Sequence, residues 1–485
     1  MELGISFLTL IAITLITAFF LFSKLFISKG QQPKNLPKGS LGYPIIGETF
    51  SFVKAQKKEK GNEWLEERIC KYGPVFKTSL MGSPTVVFNG QAGNKFIMGA
   101  PLDVFASNKP ITLQKILGKQ SLAELSGSRY KLVKGAMLDF LKPECLQNYV
   151  KEMDELASSA LVRETKGKET IGGVVFVKRL AFEMACKILL GIKDEQTVDA
   201  LFEDFGVAFK ALYSLPLNLP GTTFWRGIRA RARTVDRVLP IIAKRREQLS
   251  KGILSPTNDL LSCLLALRDE NNQPLSDDVV TDNFVFSVIA SHDTSATLLS
   301  LMVWKLARDP NICNKVFEEQ MEIIKQREEG AEERLTWGEI QKMKYTWRVA
   351  QEVMRTTPPL FGSFRKTLKD TNFAGYDIPK GWQVYWTSYG THMNDEIFKN
   401  PKEFDPSRFE NPTKPIPPFA FVAFGAGLRS CIGNEFARVE TLTTIHNLVK
   451  RYEWSLVNPE EAITRQPMPY PSMGLPINIK PRYKI

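Results

Sequence analysis

Histidine is scarce in this chain. Only His292, His392 and His446 occur in 485 residues, too few for most histidine-based metal centres. The six cysteines, Cys70, Cys145, Cys186, Cys263, Cys313 and Cys431, are scattered and form no CxxC pair. That argues against zinc sites and redox dithiols. It also leaves no disulfide framework, which fits a reducing cytosolic face. No internal repeat, low-complexity tract or Pro/Gly/Ser-rich linker interrupts the interior. Length alone suggests two or three domains, but without a linker one large, mostly helical body is expected. The net charge of +12 comes with dispersed basic residues and no nucleic-acid motif. A membrane surface and an acidic protein partner are expected, and no nucleic acid.

What is present centres on residues 421–440, FVAFGAGLRSCIGNEFARVE. Cys431 stands where a glycine-rich segment turns into a helix-forming run from Asn434. A thiolate there would meet the positive end of the helix dipole and free N–H groups, an arrangement expected to lower its pKa. Glycines let the backbone lie against a large planar group. Arg429 could reach an anionic substituent on that group. Thiolate, close backbone and cation together suggest a haem held through cysteine sulfur. The alternative is a buried structural cysteine before a helix.

The spacing Phe424-x-x-Gly427-x-Arg429-x-Cys431-x-Gly433 resembles the haem-binding signature of the cytochrome P-450 monooxygenases. The resemblance implies haem b with Cys431 as the axial iron ligand, and Phe424 and Gly433 beside it. It extends along the chain. In the long apolar helix expected over Val279–Arg308, Asp293 and Thr294 resemble the acid–alcohol pair of the family's oxygen-binding helix. Thr294 would hold oxygen and a water while Asp293 feeds protons inward. Ser291 stands where the family usually has glycine; a small serine still permits a helix bulge. His292, beside the pair, is expected to be satisfied by a hydrogen bond. Glu352-x-x-Arg355 and Phe404-Asp405-Pro406-Ser407-Arg408-Phe409 resemble the family's structural ion network, and Arg365 its propionate-binding arginine. Tyr130 and Lys134, at the start of a helix from Gly127, stand where the family often bonds a propionate through an aromatic or histidine and an arginine.

Residues 74–90 alternate around Gly82 and predict a hairpin. A second hairpin is expected over 375–386 with Pro379-Lys380-Gly381 as its turn, and residues 106–127 read as a long loop. The resemblance implies that segments 106–127, 209–225, 360–364 and 471–475 line the substrate pocket, and their mostly apolar or small residues suit a bulky hydrophobic substrate. Residues 216–233 join Pro216, Pro220 and Gly221 to leucines, Trp225 and the cluster Arg226-Arg229-Arg231-Arg233. They suit either a lipid interface or a helix–helix loop packed on the body.

Leu3–Ser23 carries no charge over 21 residues. As a helix it spans ~30 Å, a bilayer core. Glu2 and the lack of a small-residue cleavage site argue against a signal peptide. Lys24, Lys29, Lys34 and Lys38 follow, placing the body on the cytosolic side. The expected organisation is an anchor over 1–27, a basic proline- and glycine-rich hinge over 28–48, and a haem domain over 49–485. The fold class is mainly α with small β-sheets: a cytochrome P-450 fold with one N-terminal transmembrane helix, single-pass in the endoplasmic reticulum membrane. The chain is similar to the plant branch that oxidises terpenoids, triterpenoids such as β-amyrin and diterpenoids. That implies O2 as co-substrate, electrons from NADPH through NADPH–cytochrome P-450 reductase, membrane lipid, and a hydrophobic small-molecule substrate. Competing readings are a haem-thiolate isomerase or dehydratase, a steroid-hormone hydroxylase of the same fold, and a non-catalytic haem carrier or sensor.

Overall fold

Alternation around Gly82 produces the hairpin that starts the main sheet. Strands β1 (Val75–Leu80) and β2 (Ser83–Phe88) pair antiparallel. Met81 and Gly82 between them both have positive φ, as a two-residue hairpin turn requires. The computed structural model describes Thr14 and residues 35–44, 46–328, 330, 332–410 and 415–482. The apolar run Leu3–Ser23, Thr14 apart, and Lys24, Lys29 and Lys34 lie outside the described residues.

Three further strands complete the sheet: β3 (Phe105–Ser107), β4 (Gly362–Thr367) and β5 (Gln383–Thr387). The order is β1-β2-β5-β4-β3, with β2 and β5 parallel and the other pairs antiparallel. The register sets Arg365 opposite Val384 on one side and Ser107 on the other. The turn at Pro379-Lys380-Gly381 exists, but the strands flanking it do not pair with each other. Tyr376–Ile378 pairs with Thr371–Phe373, and β5 pairs with β4 and β2. Long-range pairing thus overrode the expected hairpin. Residues 106–127 are not one loop either: a helix, Ile111–Leu117, lies within them.

Helices form the larger layer. The ones that frame the site are α1 (Gly127–Leu141), α2 (Gly173–Met184), α3 (Asp277–Arg308), α4 (Lys344–Thr356) and α5 (Asn434–Arg451). All five contribute to one apolar core, while Val75, Val86, Phe88, Val384 and Trp386 form a smaller one on the sheet. Helix α3 begins with Asp277 and Asp278 and ends with Lys305 and Arg308, charges that complement its dipole. Among the described residues only α3 is long and apolar enough to cross a membrane, and 67% of its most apolar window is buried in the body. The C-terminal part adds a hairpin of β6 (Ile463–Arg465) and β7 (Pro469–Pro471).

The described N-terminal residues are bonded to this body. Asn35 exchanges main-chain and side-chain hydrogen bonds with Asp377 and Gly375, and the Lys77 N–H donates to the Lys38 carbonyl. Pro216, Pro220 and Gly221 separate Glu195–Ala211 from Thr223–Ser250, as expected of helix breakers. In the basic cluster, Arg231 pairs with Asp282 and Arg233 with Asp204, so part of that charge staples helices together. Leu215, Leu217 and Leu219 remain exposed.

One buried ion network joins α4 to the cysteine segment. Arg355 and Glu352, both wholly buried, make a two-pronged pair with N–O distances of 2.7 Å. Arg408 Nε lies 3.3 Å from Glu352 and the Asp405 N–H donates to it at 2.9 Å. Arg355 also donates to the His392 carbonyl at 2.8 Å, and His392 Nδ1 lies 3.2 Å from the Arg355 carbonyl. His392 Nε2 accepts from the Val422 N–H at 3.0 Å. Burial lowers the His392 pKa to about 3. It is therefore neutral with the proton on Nδ1, the only tautomer that satisfies both contacts.

Replacing Glu352 by Gln strands two arginines without their carboxylate. The folded state should lose about 3–5 kcal/mol, read as a lower urea midpoint, while Lys151→Ala at an exposed pair leaves the midpoint unchanged. A second expectation concerns Glu440 on α5. It is buried beside Ser295 without a hydrogen bond in good geometry, and burial raises its pKa from 4.5 to about 8. The folded chain keeps a proton that the unfolded chain sheds, so stability falls as pH rises from the unfolded to the folded value. Glu440→Gln should remove a cost of up to about 3 kcal/mol at neutral pH. Its melting temperature should exceed the wild-type value at pH ~7.5 and converge with it near pH ~4.5.

Candidate active site

The segment leading to α5 is folded by glycine. Gly425 and Gly427 both have φ of 66°, a region that side-chain-bearing residues rarely adopt. A Cβ on Gly427 would fall 2.0 Å from the Met98 carbonyl oxygen. Gly427 thus packs closely on Met98. Gly433 differs: a Cβ there would meet nothing within 4 Å, so open space adjoins it. The Cys431 N–H donates to the Phe424 carbonyl at 2.8 Å, and the Phe424 ring faces Trp347 at 6.5 Å. Cys431 is accessible to solvent, yet burial is the first cause that raises its thiol pKa. It therefore lies in a concavity. The Gly433 N–H and Lys134 pull the pKa back only partly. The sequence-based expectation of a net lowering is not met in the protein alone, because desolvation outweighs the helix end.

Cations gather beside this thiol. Arg365 and Arg429 both line a cleft with Gly425, Leu428 and Met98. Arg429 donates to the Leu125 carbonyl at 3.2 Å, and its guanidinium lies 4.4 Å from the Tyr130 ring centre. Its Nε is buried without a partner. Arg365 has only Ser363 Oγ at 3.2 Å and the Phe364 carbonyl at 3.0 Å. Burial, then repulsion from Arg429, lowers its pKa to about 10. Lys109 is a third cation that no spacing signal marked. Burial lowers its pKa to about 8, with Arg365 and Arg429 adding repulsion, against a partial rescue by Glu124 at 3.7 Å. Three cations facing one carboxylate form a recess suited to an anion.

Tyr130 and Lys134 both contact the cysteine loop. The Tyr130 hydroxyl donates to the Leu428 carbonyl at 2.9 Å. Lys134 donates to the same carbonyl and reaches the Ser430 carbonyl at 3.4 Å. Both grip the cysteine loop from α1, one turn apart on a single face.

On α3, Ala290 is exposed and Thr294 half-buried in a helix that is otherwise largely buried. That stretch borders open space. At Ser291 α3 runs as unbroken α-helix. Ser291 Oγ donates to the Ser287 carbonyl at 2.8 Å and Thr294 Oγ1 to the Ala290 carbonyl at 2.7 Å, which satisfies both hydroxyls within the helix. The chain's π-turn lies elsewhere, at Ala185–Leu189. His292 is buried, and the Lys178 backbone is its hydrogen-bond partner, in loose geometry. It packs against Phe182 and Phe209, with ring centres at 5.9 and 4.6 Å. Neither ring nitrogen meets a partner in good geometry, and burial lowers its pKa to about 4. Asp293 Oδ1 accepts from the Tyr470 hydroxyl at 2.7 Å, a contact across 177 residues that no local pattern could reveal.

These residues fit a thiolate-ligated haem on four observations. An accessible sulfur sits in a concavity, and open space adjoins Gly433. Arg429 keeps an unpaired buried nitrogen, and an electropositive recess waits for carboxylates.

Comparison with known proteins agrees. The family model described as Cytochrome P450 matches residues 37–482. A beta-amyrin 28-monooxygenase of Medicago truncatula is 39% identical over 99% of this chain and 98% of its own length. A taxane 13-alpha-hydroxylase of Taxus cuspidata is 37% identical, covering 94% of each. Among solved structures, a retinoic acid-bound cyanobacterial CYP120A1 superposes with a TM-score of 0.82 at 30% identity, over 92% of this chain and 99% of that one.

The recess yields a two-sided expectation. Lys109→Met should raise the melting temperature of the haem-free chain by relieving repulsion from Arg365 and Arg429. It should also speed transfer of haem to a scavenging protein by about 3- to 10-fold, because one cation for the haem carboxylates is gone.

Proposed function

Because the chain belongs to the cytochrome P450 family and is a monooxygenase, we propose that it hydroxylates a bulky terpenoid, of triterpenoid or diterpenoid class. The observation that carries the reading is Cys431, held before α5 between the Phe424 carbonyl and the Gly433 N–H, beside the recess of Lys109, Arg365 and Arg429. The substrate class is supported by relatives named for beta-amyrin and taxane oxidation.

When bound, the haem supplies the binding and reductive activation of O2 and the oxidising strength needed for an unactivated C–H bond. The chain's own residues do the rest. Cys431 would hold the iron through its sulfur, and Tyr130 and Lys134 keep its loop in place through the Leu428 carbonyl. Arg365, Arg429 and Lys109 would hold the haem carboxylates. Thr294 presents a hydroxyl at the bordered space, releasing its bond to Ala290 to hold water. Asp293 holds the proton that passes toward Thr294. Two electrons come from NADPH through a reductase; one oxygen atom enters the product and the other leaves with two protons as water. Repeated turns on a methyl give aldehyde and then acid.

The setting proposed is the endoplasmic reticulum membrane, with Leu3–Ser23 as anchor, residues 28–48 as hinge and the body in the cytosol. The exposed Leu215, Leu217 and Leu219 support contact with lipid.

Two measurements test this. The reduced, carbon monoxide-treated protein should show the long-wavelength Soret band of a thiolate-ligated haem, and Cys431→Ala should abolish it; a histidine-type band in wild type would sink the reading. Microsomes containing the chain and a reductase should convert β-amyrin or a taxane-type diterpene to products heavier by one oxygen, detected by mass spectrometry. Failure on both scaffolds would remove the substrate class while leaving the haem chemistry intact.

A further inference from the structure

Asp293 does not stand free on α3. Its Oδ1 accepts from the Tyr470 hydroxyl at 2.7 Å and lies 3.5 Å from Lys178 Nζ. The same hydroxyl is 3.0 Å from the Asp293 carbonyl oxygen. The Lys178 ammonium lies 4.2 Å from the Tyr470 ring centre. A phenol and an ammonium from two other elements therefore close on one carboxylate. Burial, then the facing carboxylate, raises the phenol far above its ordinary range, so it stays a hydrogen-bond donor.

Both holding groups are tied to the segment 471–475. Tyr470 belongs to β7, paired with β6, and the segment follows it directly. The segment is fixed by the buried Glu461, which accepts from the Met473 N–H at 2.5 Å and the Leu475 N–H at 3.2 Å. Lys178 belongs to α2, whose first residues bond the same segment: the Gly173 N–H donates to the Leu475 carbonyl and the Val174 N–H to the Gly474 carbonyl. An aspartate side chain alone turns between staggered positions. Two charge-assisted contacts from a fixed frame restrict it to one.

We propose that Tyr470 is a positioning residue for proton delivery: with Lys178 it sets the Asp293 carboxylate, and through β7 it links that carboxylate to segment 471–475, which is expected to line the substrate pocket. This rests on Asp293 acting as the proton source. A terpenoid substrate is hydrocarbon around the C–H bond that reacts and offers no polar group there with which to organise an acid. Contact with segment 471–475 gives it an indirect means, because displacing the segment displaces Tyr470 and the carboxylate together.

The test uses the full chain with haem and a reductase, without added substrate. NADPH consumption and hydrogen peroxide release are measured in H2O and in D2O. Tyr470→Phe keeps the ring and removes the O–H. Peroxide released per NADPH should rise by about 3- to 10-fold, with an altered solvent isotope effect and an unchanged carbon monoxide Soret band. Adding Tyr470→Phe to Asp293→Asn should change nothing further, since both act on one group. If Tyr470→Phe matches wild type while Asp293→Asn does not, the inference is overturned and Asp293 keeps its role. If Asp293→Asn itself matches wild type, both fall. A Tyr470→Phe chain that loses the Soret band marks a merely structural tyrosine and also overturns the inference.

Discussion

The two-pronged pair of Glu352 and Arg355 is the contact on which the site depends. Neither side chain has any exposure, so each would cost several kcal/mol to bury alone. The fold compensates by filling their hydrogen-bonding capacity. Glu352 receives Arg355, Arg408 and the Asp405 N–H; Arg355 also binds the carbonyls of His392 and Glu403. From there a neutral histidine carries the constraint outward. His392 bridges the Arg355 carbonyl and the Val422 N–H, and Val422 opens the segment that ends at Cys431. The position of the sulfur is thereby tied to the most deeply buried charges in the molecule.

Around that sulfur the electrostatics are unbalanced in one direction. Burial disfavours the thiolate, and it equally disfavours the protonated forms of Lys109 and Arg365. A dianionic cofactor that also brings a metal cation to the sulfur answers both strains at once. Loop geometry is secured separately. Gly427 packs on Met98, while Tyr130 and Lys134 hold the Leu428 carbonyl. The protein supplies a shaped loop and uncompensated charge, and the haem carboxylates and iron fit that pattern.

Much of this was legible along the chain. The helices α1, α3 and α5 begin within two residues of where the apolar periodicity and the Gly127 and Asn434 starts put them. Local periodicity and local breakers fix such elements. The first hairpin was legible for the same reason, because its turn lies between its partners. The hairpin expected over 375–386 was not, because β5 found better partners far away in β2 and β4.

The sequence by itself determined the spacing of the candidate groups. Cys431 before a helix, Arg429 two residues earlier and Asp293 beside Thr294 are relations of spacing, and spacing on one helix or loop is preserved on folding. Only the tertiary structure decided what those groups face. Lys109 joins Arg365 because β3 pairs with β4. Tyr470 reaches Asp293 across 177 residues because the β6–β7 hairpin packs on α3. His392 couples the ion pair to Val422 because the segment after β5 folds beneath the cysteine loop. Such contacts arise from burial shared between distant elements, and the order of residues along the chain does not encode them locally.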